Sequence, residues 1–67
     1  MTWEELKEKA KEMGYRTDER FVMRDKYNKN KNVYSMTFFE DGDVMIGSVC
    51  LNDVSYDKML MIMRGLE

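Results

Sequence analysis

The chain has 67 residues, of which 43% are apolar and 12% aromatic, and a net charge of −2. That apolar content excludes a disordered tail, but a chain this short hides only about 60% of its unfolded surface, so its core margin is thin. With no histidine and a single cysteine, Cys50, it lacks the commonest general base, the commonest transition-metal ligand and the thiol pairs of a zinc site or internal disulfide.

The first element is announced by Thr2 followed three residues later by Glu5, the capping-box spacing. Trp3, Leu6, Ala10 and Met13 then lie on one helical stripe, Glu5 and Lys9 form a favourable i,i+4 pair, and Gly14 is placed to end the helix. Next, "RFVMRD" reads as a short strand and "KYNKNKN" as a loop, because asparagine tolerates the left-handed conformations that close loops. "VYSMTFFE" is the strongest strand by aromatic and β-branched content, and "VMIGSVCL" follows it as another. A final helix starts at Ser55, with Val54 and Met59 as a hydrophobic staple and Asp57 in the first turn. Met59, Leu60, Met63 and Leu66 form its stripe. The predicted fold is one α+β domain over residues 1–67, ordered α-β-β-β-α, with a three-stranded antiparallel meander and two helices on one face.

Asp41-Gly42, between two apolar runs, predicts a two-residue type I′ hairpin turn. That turn pairs Phe39 with Val44 and Phe38 with Met45. It sends Tyr34, Met36, Phe38, Met45, Val49 and Leu51 to the core, with Phe21 and Met23 pointing the same way. Val33, Phe39, Val44, Ile46 and Cys50 then occupy an open face beside Ser35, Thr37 and Ser48. An apolar patch of a few hundred Å² is the size that often marks an interaction site. An ordinary solvated sheet face, β-branched for strand propensity, is the alternative.

Charge is unevenly spread. Residues 1–19 hold four cations and six anions, residues 20–31 hold Arg20, Arg24, Lys26, Lys29 and Lys31 against Asp25, and the remainder holds six anions and two cations. The acidic group comprises Glu40, Asp41, Asp43, Asp53 and Asp57. Gly42 does not fit a calcium loop, since placing it sixth puts Thr37 and Phe39 where carboxylates belong. No metal or cofactor is therefore expected. The basic stretch Arg24, Lys26, Lys29 and Lys31, near Tyr27 and Tyr34, could contact phosphates and stack bases, or could simply keep a long hairpin loop soluble. In "KMLMIMRGL", Met61 and Ile62 lie off the core stripe, and a methionine-rich surface can serve as a peptide groove.

The α-β-β-β-α order resembles, in topology, that of double-stranded RNA-binding domains. The resemblance implies duplex contacts from the first helix, the first strand–strand loop and a lysine cluster opening the last helix. Here that loop is basic, but the last helix opens with Asp53, Asp57 and only Lys58, and carboxylates there would repel phosphate. Some inhibitors of bacterial immune nucleases are similar in size and topology and use acidic surfaces as nucleic-acid mimics.

With no nucleophile beside a base and no phosphate-cradling loop, an enzyme is not expected. The leading expectation is a small protein-binding or inhibitor-type module, of the kind found among accessory proteins of phages and mobile elements, acting through its open sheet face and acidic hairpin tip. Nucleic-acid binding through loop 24–31 and a structural homodimer are the alternatives. The N-terminal stretch is charged and amphipathic, unlike a signal peptide, and no apolar run is long enough to span a membrane. A cytoplasmic location with no membrane partner is the corresponding expectation.

Overall fold

The computed structural model describes residues 1–27, 29–30 and 32–65. The elements are α1 (Trp3–Glu12), β1 (Arg16–Thr17), β2 (Phe21–Tyr27), β3 (Val33–Phe39), β4 (Val44–Ile46), β5 (Val49–Leu51) and α2 (Tyr56–Gly65). The five strands form one antiparallel meander in the order β1-β2-β3-β4-β5. The α+β class holds, and the three-stranded sheet is corrected to five. Arg16 and Thr17 add an edge strand beside β2, and "VMIGSVCL" is not one strand but a hairpin folded at Gly47-Ser48. Gly47 has φ +59, the positive value required at the first centre of a two-residue type II′ turn. The extra strands also remove the three-strand order on which the likeness to double-stranded RNA-binding domains depends.

Both helices begin, and α1 ends, as their sequences dictate. Thr2 accepts a hydrogen bond from the Glu5 amide at 3.2 Å, and the Glu5 carboxylate accepts from the Thr2 amide at 3.2 Å. The bond from the Thr2 amide, and a second from the Thr2 hydroxyl to the same carboxylate at 3.1 Å, hold the Glu5 carboxyl below its ordinary pKa. At the other end Gly14 takes φ +89, its amide donates to Lys11 O and the Tyr15 amide donates to Ala10 O. This is the two-bond Schellman closure. In α2 the Ser55 hydroxyl accepts from the Lys58 amide at 3.2 Å.

The β3–β4 turn decides which side chains are buried. The Gly42 amide donates to Phe39 O at 3.1 Å, and the Phe39 amide donates to Asp43 O at 2.9 Å. Gly42 has φ +101, whereas Asp41 is not among the residues with positive φ. The loop is therefore Glu40-Asp41-Gly42, a type I turn closed by a glycine bulge, and not the two-residue type I′ turn of the sequence reading. Pairing shifts by one residue, to Phe38 with Val44, Thr37 with Met45 and Met36 with Ile46. Strand side chains alternate, so a one-residue shift turns β4 over. Val44 is 0% exposed and Met45 is 44% exposed, the reverse of the expectation.

The core lies between the two helices and one face of the sheet. Trp3, Leu6 and Ala10 of α1 and Met59, Leu60 and Met63 of α2 meet Val22, Met36, Phe38 and Val44 of the strands, together with Tyr15 and Val54. Met13, Tyr34, Ile46, Tyr56 and Ile62 pack around this centre. Val22, and not Phe21 or Met23, points inward from β2. Val49 and Leu51 are exposed, because the helices do not extend over β5. Val54 and Met59 are both buried as the predicted staple requires, and Leu66 lies outside the described residues. No helix among the described residues is long and apolar enough to cross a membrane.

Candidate functional site

Alternation along the strands, read with the observed pairing, places Phe21, Met23, Asp25 and Tyr27 of β2 on the face turned away from the helices. Val33, Ser35, Thr37 and Phe39 of β3, Met45 of β4 and Cys50 of β5 share it. They form cross-strand rows. Phe21 pairs with Phe39, their rings 6.1 Å apart and tilted by 49°. Met23, Thr37, Met45 and Cys50 make the next row, with Arg16 at its β1 end. The Arg16 guanidinium reaches the Met23 sulfur at 2.9 Å. Asp25 pairs with Ser35, whose hydroxyl donates to its carboxylate at 2.7 Å, and Tyr27 pairs with Val33.

Of the five apolar residues expected on this face, Val33, Phe39 and Cys50 are there: Val33 is 56% exposed, Phe39 half-buried and Cys50 exposed. Val44 and Ile46 are not. Val44 is fully buried in the core and Ile46 packs against it, because the glycine bulge turned β4 over. Sequence reasoning missed Phe21, Met23 and Met45 as members of the face. Glu-Asp-Gly fits a three-residue bulged loop as well as Asp-Gly fits a two-residue turn, so that local signal was ambiguous. Gly-Ser between two apolar runs was a readable hairpin signal for β4 and β5.

The acidic residues come together from two parts of the chain. Glu40 and Asp41 at the hairpin tip share a depression of about 470 Å³ with Asp53 and Asp57 before and within α2, and Met1, Gly42, Val54, Ser55 and Tyr56 complete its lining. Two hydrogen bonds clasp the tip to the start of α2. The Val54 amide donates to Gly42 O at 2.9 Å, and the Tyr56 hydroxyl donates to Glu40 O at 2.6 Å. The Tyr56 ring lies 5.6 Å from that of Trp3, which ties the same corner to α1.

Two of the carboxylates are engaged in building the turn itself. Asp41 accepts from the Asp43 amide at 3.0 Å, and Asp43, half-buried, accepts from the Asn52 side chain at 2.8 Å. Asp57 lies 3.8 Å from the amino terminus. Among the described residues no group of three or more acidic or thiol side chains is placed to hold one metal ion.

Of the described basic residues, Arg24 is engaged within the fold. Arg24 lies on the helix side of β2, donates to Met13 O at 2.8 Å and sits 5.9 Å from the centre of the Tyr15 ring. Its guanidinium satisfies a carbonyl at the end of α1, a structural task. Lys26 pairs with Tyr34 in the ladder, on that same side. Lys29 is in the exposed β2–β3 turn, and Lys31 lies outside the described residues. In α2, Met61 is 72% exposed but Ile62 packs against the core, so the two do not form a paired apolar groove.

Comparison with protein-family models, curated proteins and solved structures finds no match to this chain.

Proposed function

We propose that this chain is a small, non-catalytic protein-binding module whose contact surface is the uncovered face of the sheet, with the acidic corner as its rim. The observation that carries this reading is the run of apolar side chains on a face that no element among the described residues covers: Phe21, Met23, Val33, Phe39 and Met45. Exposed apolar residues in contact with one another, rimmed by polar groups, are the common signature of an interaction patch. Phe39 joins the two parts, since it lines a smaller hollow with Arg20, Glu40 and Asp41 at the end of the face nearest the acidic tip. A partner suited to both would present apolar side chains flanked by lysine or arginine. The carboxylates would supply encounter rate and orientation more than affinity.

Affinity capture from the source cell, read by mass spectrometry, tests this with two variants. Phe39→Lys with Met45→Lys places charge on the open face, where the core is untouched. Glu40→Gln with Asp53→Asn and Asp57→Asn removes charge from the corner and leaves the turn-building Asp41 and Asp43 in place. The expected outcome is a partner held by wild type, lost with the face variant and weakened in a salt-dependent way with the corner variant. A partner retained undiminished by a correctly folded face variant rejects the reading.

A further inference from the structure

The sheet has two free edges, and only one of them is defended. At the β1 edge, the two-residue strand Arg16–Thr17 runs straight into Asp18, Glu19 and Arg20, and short length with charge is the usual protection against strand addition. At the β5 edge, Val49-Cys50-Leu51 is exposed throughout, has no charge and no proline, and lies between the neutral Ser48 and Asn52.

Hydrogen-bond parity fixes what that edge offers. The two-residue turn at Gly47-Ser48 makes Ile46 and Val49 the closing pair, which in such hairpins exchanges both backbone bonds. Cys50 and Met45 are then a non-hydrogen-bonded pair. The Cys50 amide and carbonyl therefore point away from β4, a donor and an acceptor side by side on the open edge.

We infer that β5 pairs with β5 of a second copy of this chain, antiparallel about a two-fold axis at Cys50, joining two five-stranded sheets into one. The edge complements itself. On the axis each Cys50 amide meets the other copy's Cys50 carbonyl. Residues the same distance before and after position 50 face each other, so the exposed Val49 of one copy packs beside the exposed Leu51 of the other. No carboxylate lies within β5, and Asp53, the nearest along the chain, comes two residues past its end, where φ +55 turns the chain out of the extended strand. No like charges are opposed. A short strand pair buries little area, so the dimer is weak and exchanges rapidly. The two open faces then lie edge to edge on one sheet. This inference is independent of the open-face reading, because it uses the backbone of the edge and not the side chains of the face.

Two measurements test it. In sedimentation, the wild-type mass is expected to rise towards twice the 8.1 kDa of one chain as concentration is raised to about 1 mM. Over the same range, amide exchange followed by NMR is expected to show the Cys50 amide becoming protected. Cys50→Pro removes the outward donor and costs no ladder bond to β4, so this variant is expected to keep the wild-type far-ultraviolet dichroism and remain a monomer. A wild type that stays monomeric at about 1 mM with a freely exchanging Cys50 amide overturns the inference and leaves a strand of a different protein as the occupant of the edge. A dimer that persists in folded Cys50→Pro overturns it also. If that variant does not fold, the concentration dependence of the wild-type Cys50 amide decides alone.

Discussion

On the helix side of the sheet, Val22, Met36, Phe38 and Val44 lose all contact with solvent. On the other side, side chains of the same chemical kind, Phe21, Met23, Phe39 and Met45, stay partly or largely in water. The contrast is sharpest between neighbours: Val44 and Met45 are adjacent in one strand and lie on opposite faces. Hydrophobicity did not choose between the two sets, since methionine and phenylalanine occur in both. The choice came from the strand register, set at the glycine bulge, and from which face the two helices could cover. An apolar side chain buried in a core stabilises the monomer, whereas one left on the open face is available to something else.

The largest break in this contrast is expected from Phe38→Ala, the largest fully buried side chain of the core. Such a truncation costs about 3–5 kcal/mol. A domain of this length has roughly 3–10 kcal/mol in total. Thermal unfolding should find Phe38→Ala largely unfolded near room temperature, whereas Phe39→Ala, on the opposite face, should lose far less.

A finer comparison comes from the pair in β4. Val44→Ala removes two buried methyl groups and should cost about 2 kcal/mol by urea denaturation. Met45→Ala should cost less than about 0.5 kcal/mol, as for other surface substitutions. Equal costs, or the reverse order, would contradict the observed register. At the bulge itself, Gly42→Ala forces a Cβ into φ +101 and to within 3.5 Å of Val54 O. The strain should cost about 1–2 kcal/mol and loosen the clasp between the hairpin tip and α2.

A further effect lies away from both faces, at the start of α1. Thr2→Ala removes the N-cap and should cost about 1 kcal/mol. Because the folded Glu5 carboxyl is held below its ordinary pKa of 4.5, its contribution is present above that value and is lost as pH falls through the lower folded value. A urea series from pH 6 down to pH 3 should show the wild type losing this increment and Glu5→Gln lacking that component of the pH dependence.

Local signals in the chain were sufficient for its local structures. The Thr2 and Glu5 box, the Gly14 terminus, the Ser55 cap with its Val54 and Met59 staple, and a turn around Gly42 all involve residues within a few positions of one another. Nearest-neighbour chemistry determines them, and they were legible. The open face was legible as a concept and at Val33, Phe39 and Cys50. It was misassigned at Val44 and Ile46 because Glu-Asp-Gly and Asp-Gly are both good hairpin loops, and the loop length sets the parity of every residue that follows.

What tertiary structure decided was therefore parity and company. Packing chose the register that buries Val44 against Phe38. It placed Arg24 against the end of α1 and away from the basic loop, and it drew Glu40 and Asp41 to Asp53 and Asp57. It also left β5 beyond the reach of the helices. These outcomes depend on contacts between residues far apart in the chain, where a difference of one position in a loop moves a side chain from core to surface. Composition and local spacing determined that two helices and a sheet would form; only the assembled fold determined which of its apolar side chains would remain available to a partner.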